Sequence, residues 1–276
     1  MIDGMSNKTI LITGATDGLG KQTALQLAKL GARIFLHGRN PIKAENVRAE
    51  IIGQTGNCAI DVLTADFQSL RQVREMVTTI KQRTPQLDIL INNAGVYMHE
   101  RRLSEDGYEM TFAVNHLAPF LLTNLLLELL KQSAPSQVIT LSSVGHKLVT
   151  LNMADLQGKH FFWGWVAYCR SKLLNVLFTF ELAERLKGSG VNANAIHPGV
   201  VRATNLTRKA KVGWGITVNE GAESIVNLAT SSALAKVSGA YFNRLKQGKA
   251  SPIARKIALR KQVWQISSEL TSLQQV

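Results

Sequence analysis

Thr9-Ile10-Leu11-Ile12-Thr13-Gly14-Ala15-Thr16-Asp17-Gly18-Leu19-Gly20 is the stretch that decides how this chain folds. Thr9 to Ile12 read as a short buried strand, and the glycines that follow permit a tight turn and close backbone approach. The helix expected from about Leu19 to Leu30 turns its free N-terminal amides and positive dipole end toward that turn, an arrangement suited to a pyrophosphate. The nearest competitor is a phosphate loop for a nucleoside triphosphate, because Gly20-Lys21 matches its end. That motif needs Gly at position 15 and Ser or Thr at position 22, where this chain has Ala15 and Gln22.

Outward from this unit the pattern repeats. Ile34 to Leu36, Cys58 to Leu63, Ile89 to Ile91, Val138 to Leu141, Val191 to Ile196 and Ala240 to Phe242 read as further strands. Between them Leu70, Val73, Met76, Val77 and Ile80 recur at helical spacing, as do apolar positions from Leu173 to Leu186. Parallel strands need crossover connections. The alternation therefore predicts an α/β fold: one doubly wound, Rossmann-type domain over residues 1–276, with a mainly parallel central sheet and helices on both faces. Its ligand crevice is expected beyond the carboxyl ends of the strands.

Composition narrows the function classes. At 276 residues, 45% hydrophobic and 18% charged, the chain reads as a soluble globular protein. Its net charge of +13 favours anionic ligands and is compatible with peripheral association with an anionic membrane. Lys and Arg are scattered, with a modest concentration from Arg244 to Lys261, and no nucleic-acid module is recognisable, so no nucleic-acid partner is expected. Cys58 and Cys169 are too far apart for a compact metal motif and no histidine pair has metal spacing, so no metal is expected. Two free thiols fit a reducing, cytoplasmic location. Met1 to Thr9 has no signal-peptide pattern, and the apolar run Leu117 to Leu130, interrupted by Pro119, Asn124 and Glu128, falls short of the ~20 residues of a membrane span. No transmembrane segment is expected; a buried or subunit-interface helix is.

The second strand ends in His37-Gly38-Arg39-Asn40, without the carboxylate that would bind an NAD ribose. Arg39, with Lys43 nearby, suits a 2′-phosphate, so NADP(H) is favoured while NAD(H) stays open. Arg39 is equally readable as an exposed residue leading a helix.

Tyr168-Cys169-Arg170-Ser171-Lys172 places a phenol and an ammonium four residues apart, on one face of a helix. A neighbouring ammonium favours phenolate and lowers a reference pKa of about 10, easing proton exchange near neutrality. Alone, such a pair is common on solvated helices. Here it accompanies other marks, and over nearly its full length the chain resembles the short-chain dehydrogenase/reductase family. The glycine turn matches Thr13 to Gly20, the adenine-side acidic residue Asp66, and the post-strand motif Asn92-Asn93-Ala94-Gly95. The family's catalytic Asn, Ser, Tyr and Lys match Asn115, Ser143, Tyr168 and Lys172, and its proline-glycine loop matches His197 to Thr204. Leu156-Gln157-Gly158, Ala167 to Leu173, Gly239 to Phe242, and the 24 residues between Ser143 and Tyr168 resemble its retinol dehydrogenase-like branch.

The resemblance implies hydride exchange with a nicotinamide, a proton exchanged at Tyr168, and a substrate oxygen held by Ser143. It gives Lys172 the tuning of Tyr168 and the nicotinamide ribose, and Asn115 a water linking Lys172 to solvent. Cofactor contacts are implied at Gly14, Thr16, Asp17, Gly18, Leu19 and Gly20, at Arg39 and Asn40, and at Asp66 and Phe67. Further contacts are implied at Asn93, Ala94 and Gly95, and at Tyr168, Lys172, Pro198, Gly199, Val201 and Thr204. On local chemistry alone Ser142 matches Ser143, Asn115 suits a backbone-satisfying role, and Phe67 equally suits the core. A homodimer through the helix around Leu117 to Leu130 and the one following Lys172 is also implied, as is a soluble enzyme without the membrane-bound relatives' N-terminal anchor.

His146, close to Ser143, invites a hydrolase reading, but Leu141 stands where a nucleophile elbow needs glycine, and a surface or substrate-edge position is expected. Phe161, Phe162, Trp163 and Trp165 either wall an apolar substrate pocket or pack the extended segment. Residues 204–219 resemble a substrate lid and equally suit a surface loop. The function expected is NADP(H)-dependent interconversion of an alcohol and a carbonyl on an apolar small molecule. A catalytically silent NADP(H)-binding redox sensor or scaffold is the alternative, against which the intact proton-transfer set counts.

Overall fold

The computed structural model describes residues 4–202, 208–210 and 213–273. Strands β1 (Thr9–Ile12), β2 (Arg33–Gly38), β3 (Ile60–Thr64) and β4 (Ile89–Asn92) are joined by helices α1 (Gly18–Lys29), α2 (Pro41–Thr55) and α3 (Leu70–Arg83). Then follow α4 (Met110–Phe112), a π-helical turn (Ala113–Leu117), α5 (Ala118–Gln132), β5 (Ser136–Leu141), α6 (Gly164–Arg185) and β6 (Val191–His197). Helix α7 (Val218–Thr230), strands β7 (Tyr241–Asn243) and β8 (Lys246–Gly248), and α8 (Ile257–Leu270) complete the described elements. One sheet in the order β3-β2-β1-β4-β5-β6-β7-β8 carries them, parallel throughout except for the final β7–β8 hairpin.

Side chains alternate across a strand, so each strand feeds two cores. Leu11, Phe35, Leu90 and Val138 face one side, where Val73 and Ile80 of α3, Phe120 of α5 and Leu177 of α6 cover them. Ile10, Ile12, Ile34, Ile89 and Ile139 face the other, under Leu27 of α1, Val47 of α2 and Ile225 of α7. This is the doubly wound, Rossmann-type architecture. All carboxyl strand ends from β3 to β6 open on the same edge.

Differences from the sequence reading have physical causes. Helix α2 buries only Ala44, Val47 and Ile51, too narrow a stripe to announce itself, and starts from its Asn40 cap and Pro41. The short hairpin strand β8 is exposed or half-buried along its length, and it has no apolar alternation. Helix α6 (Gly164–Arg185) carries Tyr168 and Lys172 as expected, and the run from Met110 to Gln132 forms 23 continuous helical residues. That helix is long and apolar enough to cross a membrane, so the shortness inferred from sequence is corrected; 78% of its apolar window is buried inside the fold.

Burial holds His37, His116, His146 and His197 below the ordinary imidazole value. Burial drives His116 down to about 3, and His37 and His197 each to about 4. Unfolding releases them to about 6.5, so between those values the unfolded chain binds the extra protons. Stability is therefore expected to hold above about pH 6.5 and to fall as pH drops from there toward 4. Urea midpoints measured from pH 7.5 to 4.5 check this, and a flat profile would contradict it.

Candidate active site

The glycine turn is built by exclusion. Gly14 has φ +64° and Gly18 +49°, values that favour glycine. A Cβ on Gly14 would lie 2.9 Å from Ala94 Cα, and one on Gly20 would strike Gly14 O and, at 2.5 Å, Asn93 Nδ2. Asn93 Nδ2 donates to the carbonyls of Thr13 (2.7 Å) and Gly14 (3.0 Å), while Thr13 Oγ1 accepts from the Asn93 and Ala94 amides, each at 3.0 Å. The exits of β1 and β4 are thereby stitched into one surface. Asp17 caps α1, accepting from Gly18 N–H at 2.7 Å, and its second oxygen lies 3.3 Å from Lys43 Nζ. Gly38 leaves room for the Thr16 methyl, and Gly221 for Leu19 and Val201, which meet beside α7.

Arg39 and Asn40 are exposed at the end of β2, and Asn40 caps α2 by accepting from Lys43 N–H at 2.9 Å. Both Asp66 carboxylate oxygens are taken by Gln68, through its amide (3.1 Å) and Nε2 (3.0 Å). The Phe67 ring lies in the core, 4% exposed and stacked on His37 at 4.4 Å. Pro198 is buried, Gly199 has φ +106°, and Val201 pairs with Ile216 across the 200–202 segment. Thr204 lies outside the described residues, as does part of the 204–219 segment.

The catalytic candidates converge. Asn115 sits in the π-helical turn, a feature common at functional sites. Its Oδ1 accepts from Val96 N–H at 2.7 Å, and its Nδ2 donates to Val96 O and to Ser171 Oγ, each at 3.0 Å. Ser171 Oγ in turn donates to the Tyr168 carbonyl at 2.7 Å. Ser142 Oγ is spent on the Lys172 carbonyl (2.9 Å), which distinguishes it from Ser143, whose hydroxyl stands against the Tyr168 phenol. Lys172 Nζ donates to Leu141 O at 3.2 Å and lies 5.6 Å from the Tyr168 ring centroid. A Cβ on Gly95 would sit 3.4 Å from Asn115 Oδ1 and 3.5 Å from Lys172 Nζ, so this exposed glycine keeps the approach to both open.

One expectation is corrected. In the free chain burial pushes the Tyr168 phenol up, with only the Ser143 hydroxyl opposing it, and pushes Lys172 down to about 8. Proximity of an ammonium does not ionise a phenol when both are desolvated. His146 is also fully buried rather than at the substrate edge: Nδ1 bonds Ser143 O at 2.6 Å and Nε2 accepts from Ser251 N–H at 3.0 Å. It holds the Ser143 backbone.

Around Tyr168 stand two aromatic rings. Trp165 stacks at 6.2 Å, one turn back on α6, and Tyr97 tilts against it at 6.1 Å. Tyr97 escaped sequence reasoning, although its place two residues beyond Gly95 was the available signal. Phe161, Phe162 and Trp163 instead line a narrow cleft with Glu109, Gln157 and Arg170, in which Tyr168 has no part.

A glycine turn against a helix N-terminus, with a half-buried Ser143 beside buried Tyr168 and Lys172, fits a nicotinamide dinucleotide and defines an oxidoreductase. The known proteins agree. The short chain dehydrogenase family model matches residues 8–213. Bovine retinol dehydrogenase 12 is 41% identical over 274 residues, covering 96% of this chain and 87% of that protein. Human retinol dehydrogenase 14 is 40% identical over 295 residues, covering 98% and 88%. Among solved structures, an uncharacterised protein of Mycobacterium paratuberculosis superposes with a TM-score of 0.82 at 31% identity, covering 98% of this chain and 96% of that one. A short-chain dehydrogenase from Shigella flexneri complexed with NADP reaches 0.71 at 25% identity, covering 89% and 100%. The chain belongs to the short-chain dehydrogenase/reductase family, in its retinol dehydrogenase-like branch. It is an enzyme that interconverts alcohols and carbonyls with a nicotinamide cofactor.

Proposed function

We propose that this enzyme uses NADP(H) on an apolar alcohol or carbonyl compound, as a single catalytic domain spanning residues 1–276 with a substrate lid near 204–219. The observation that carries the chemistry is the convergence of Ser143, Tyr168 and Lys172 behind the cofactor turn. When bound, the nicotinamide gives or takes the hydride. The chain's own residues handle the proton and the oxygen. Tyr168 gives its phenolic proton to the substrate oxygen in reduction and recovers it in oxidation, while Ser143 hydrogen-bonds that oxygen and stabilises its developing charge. Lys172 holds the ribose and replenishes the Tyr168 proton, with Asn115 fixing the Gly95-Val96 backbone beside it. Gly14, Thr16, Asp17, Gly18, Leu19 and Gly20 cradle the pyrophosphate side, and Asn93, Ala94 and Gly95 the far wall.

Apolar substrates are supported by the Tyr97 and Trp165 rings flanking Tyr168. NADP(H) is supported by exposed Arg39 with no carboxylate between His37 and Asn40. Arg39→Ala is expected to raise the Kd for NADPH roughly ten- to a hundredfold, the worth of a charged hydrogen bond or two, and to leave NADH within about twofold. Coenzyme titration by fluorescence checks this; undiminished NADPH affinity would reject the phosphate reading. A homodimer through α5 and α6 and a cytoplasmic setting complete the proposal, supported by the apolar α5 and by two free thiols.

A further inference from the structure

His37 belongs to none of the roles above, yet two parts of the cofactor cradle hang on it. It is the penultimate residue of β2, is 3% exposed, and precedes Arg39 by two residues. Gly14, held at φ +64°, turns its N–H toward His37 Nδ1, 3.2 Å away. The next amide, Ala15 N–H, donates to the His37 carbonyl at 2.8 Å. On the far side of the ring, Nε2 lies 3.0 Å from the carbonyl of Ala65, immediately before Asp66. Phe67, from the same β3 exit, stacks on the ring.

These partners determine the ring's proton. Gly14 N–H is a donor, so Nδ1 must carry a lone pair; Ala65 C=O is an acceptor, so Nε2 must carry hydrogen. Only the neutral Nε2–H tautomer satisfies both. An imidazolium would aim N–H at N–H, and burial disfavours it as well. A hydrocarbon in its place would leave the Gly14 N–H and the Ala65 carbonyl without the ring as a partner, which is costly where they are buried.

We propose that His37 is a positioning residue for the dinucleotide, a neutral imidazole that spaces the glycine turn against the β3 exit so that pyrophosphate and adenosine are received together. It rests on the family's nicotinamide-dinucleotide binding and is independent of the Arg39 reading, because the glycine turn serves both coenzymes alike. Loss of His37 weakens NADPH and NADH equally; loss of Arg39 is selective.

The test compares His37→Phe, which keeps a ring against Phe67 without its hydrogen bonds, with His37→Gln, which offers an acceptor and a donor again. Binding of NADPH and of NADH to the full chain is measured by fluorescence titration, and Gly14 amide exchange by NMR. His37→Phe is expected to raise both Kd values about tenfold and to speed Gly14 exchange, with His37→Gln restoring most of each. Native Kd values in folded His37→Phe overturn the proposal, as does a loss confined to NADPH. Should His37→Phe fail to fold, the 15N shifts of His37 in the native protein decide: an unprotonated Nδ1 with Gly14 coupled to it supports the assignment, and a protonated Nδ1 refutes it.

Discussion

Tyr168→Phe is expected to lower kcat by about 10²–10⁴-fold in either direction while leaving coenzyme Kd within about twofold. The substitution removes one oxygen from a ring that is 8% exposed and braced by Trp165 and Tyr97, so the fold and the cofactor turn stay as they are. What is lost is the phenolic hydrogen that stands against the Ser143 hydroxyl, with Lys172 beside the ring. Burial holds the phenol above its ordinary value in the free enzyme, so at neutral pH Tyr168 is protonated and ready to donate. Reduction should therefore persist across neutrality, and oxidation, which needs the phenolate, should rise with pH. The measurement is a screen of apolar carbonyls and alcohols with both coenzymes, native against Tyr168→Phe. Turnover that survives the substitution would falsify the proton-transfer role; coenzyme binding without any native turnover would favour a silent sensor instead.

How much of this was legible beforehand depended on whether a residue acts through its spacing or through its surroundings. Thr9 to Gly20 announces strand, turn and helix because each step has its own backbone chemistry, and α1 begins within one residue of the expected start. Tyr168 and Lys172 are legible as a helix pair because i and i+4 share a face. Ser143 could not be told from Ser142 locally; the distinction is tertiary, made when Ser142 turns to the Lys172 carbonyl. Burial was the least legible quantity. It is a property of the whole fold, and it reversed the expected shift of Tyr168, moved His146 from the surface to the Ser143 backbone, and decided for the core where the sequence left Phe67 open. His37 and Tyr97 were missed because each matters through its tertiary neighbours, His37 through Gly14 and Ala65 on the flanking strand exits and Tyr97 through Tyr168.

Gly20→Ala is expected to abolish measurable coenzyme binding, with Kd rising more than about a hundredfold, and to cost the fold about 1–3 kcal/mol. The added methyl has no empty space to enter. It meets the Gly14 carbonyl and Asn93 Nδ2, two groups already bonded to each other at 3.0 Å, and lies 3.0 Å from Ala15 Cα. None of these is the free end of a flexible side chain, so relief requires moving the turn away from α1 or breaking the stitch between β1 and β4. Either displaces the amides that face the pyrophosphate. Gly53→Ala is the matched control: the glycine lies inside α2 with nothing within 4 Å of its added Cβ, and alanine there should stabilise the helix by about 0.5–1 kcal/mol. Calorimetry and coenzyme titration on the two variants separate loss of glycine in general from loss of this one. Equal melting temperatures and equal Kd values in both would mean that the turn tolerates a side chain at Gly20, and that its third glycine is not what lets the dinucleotide in.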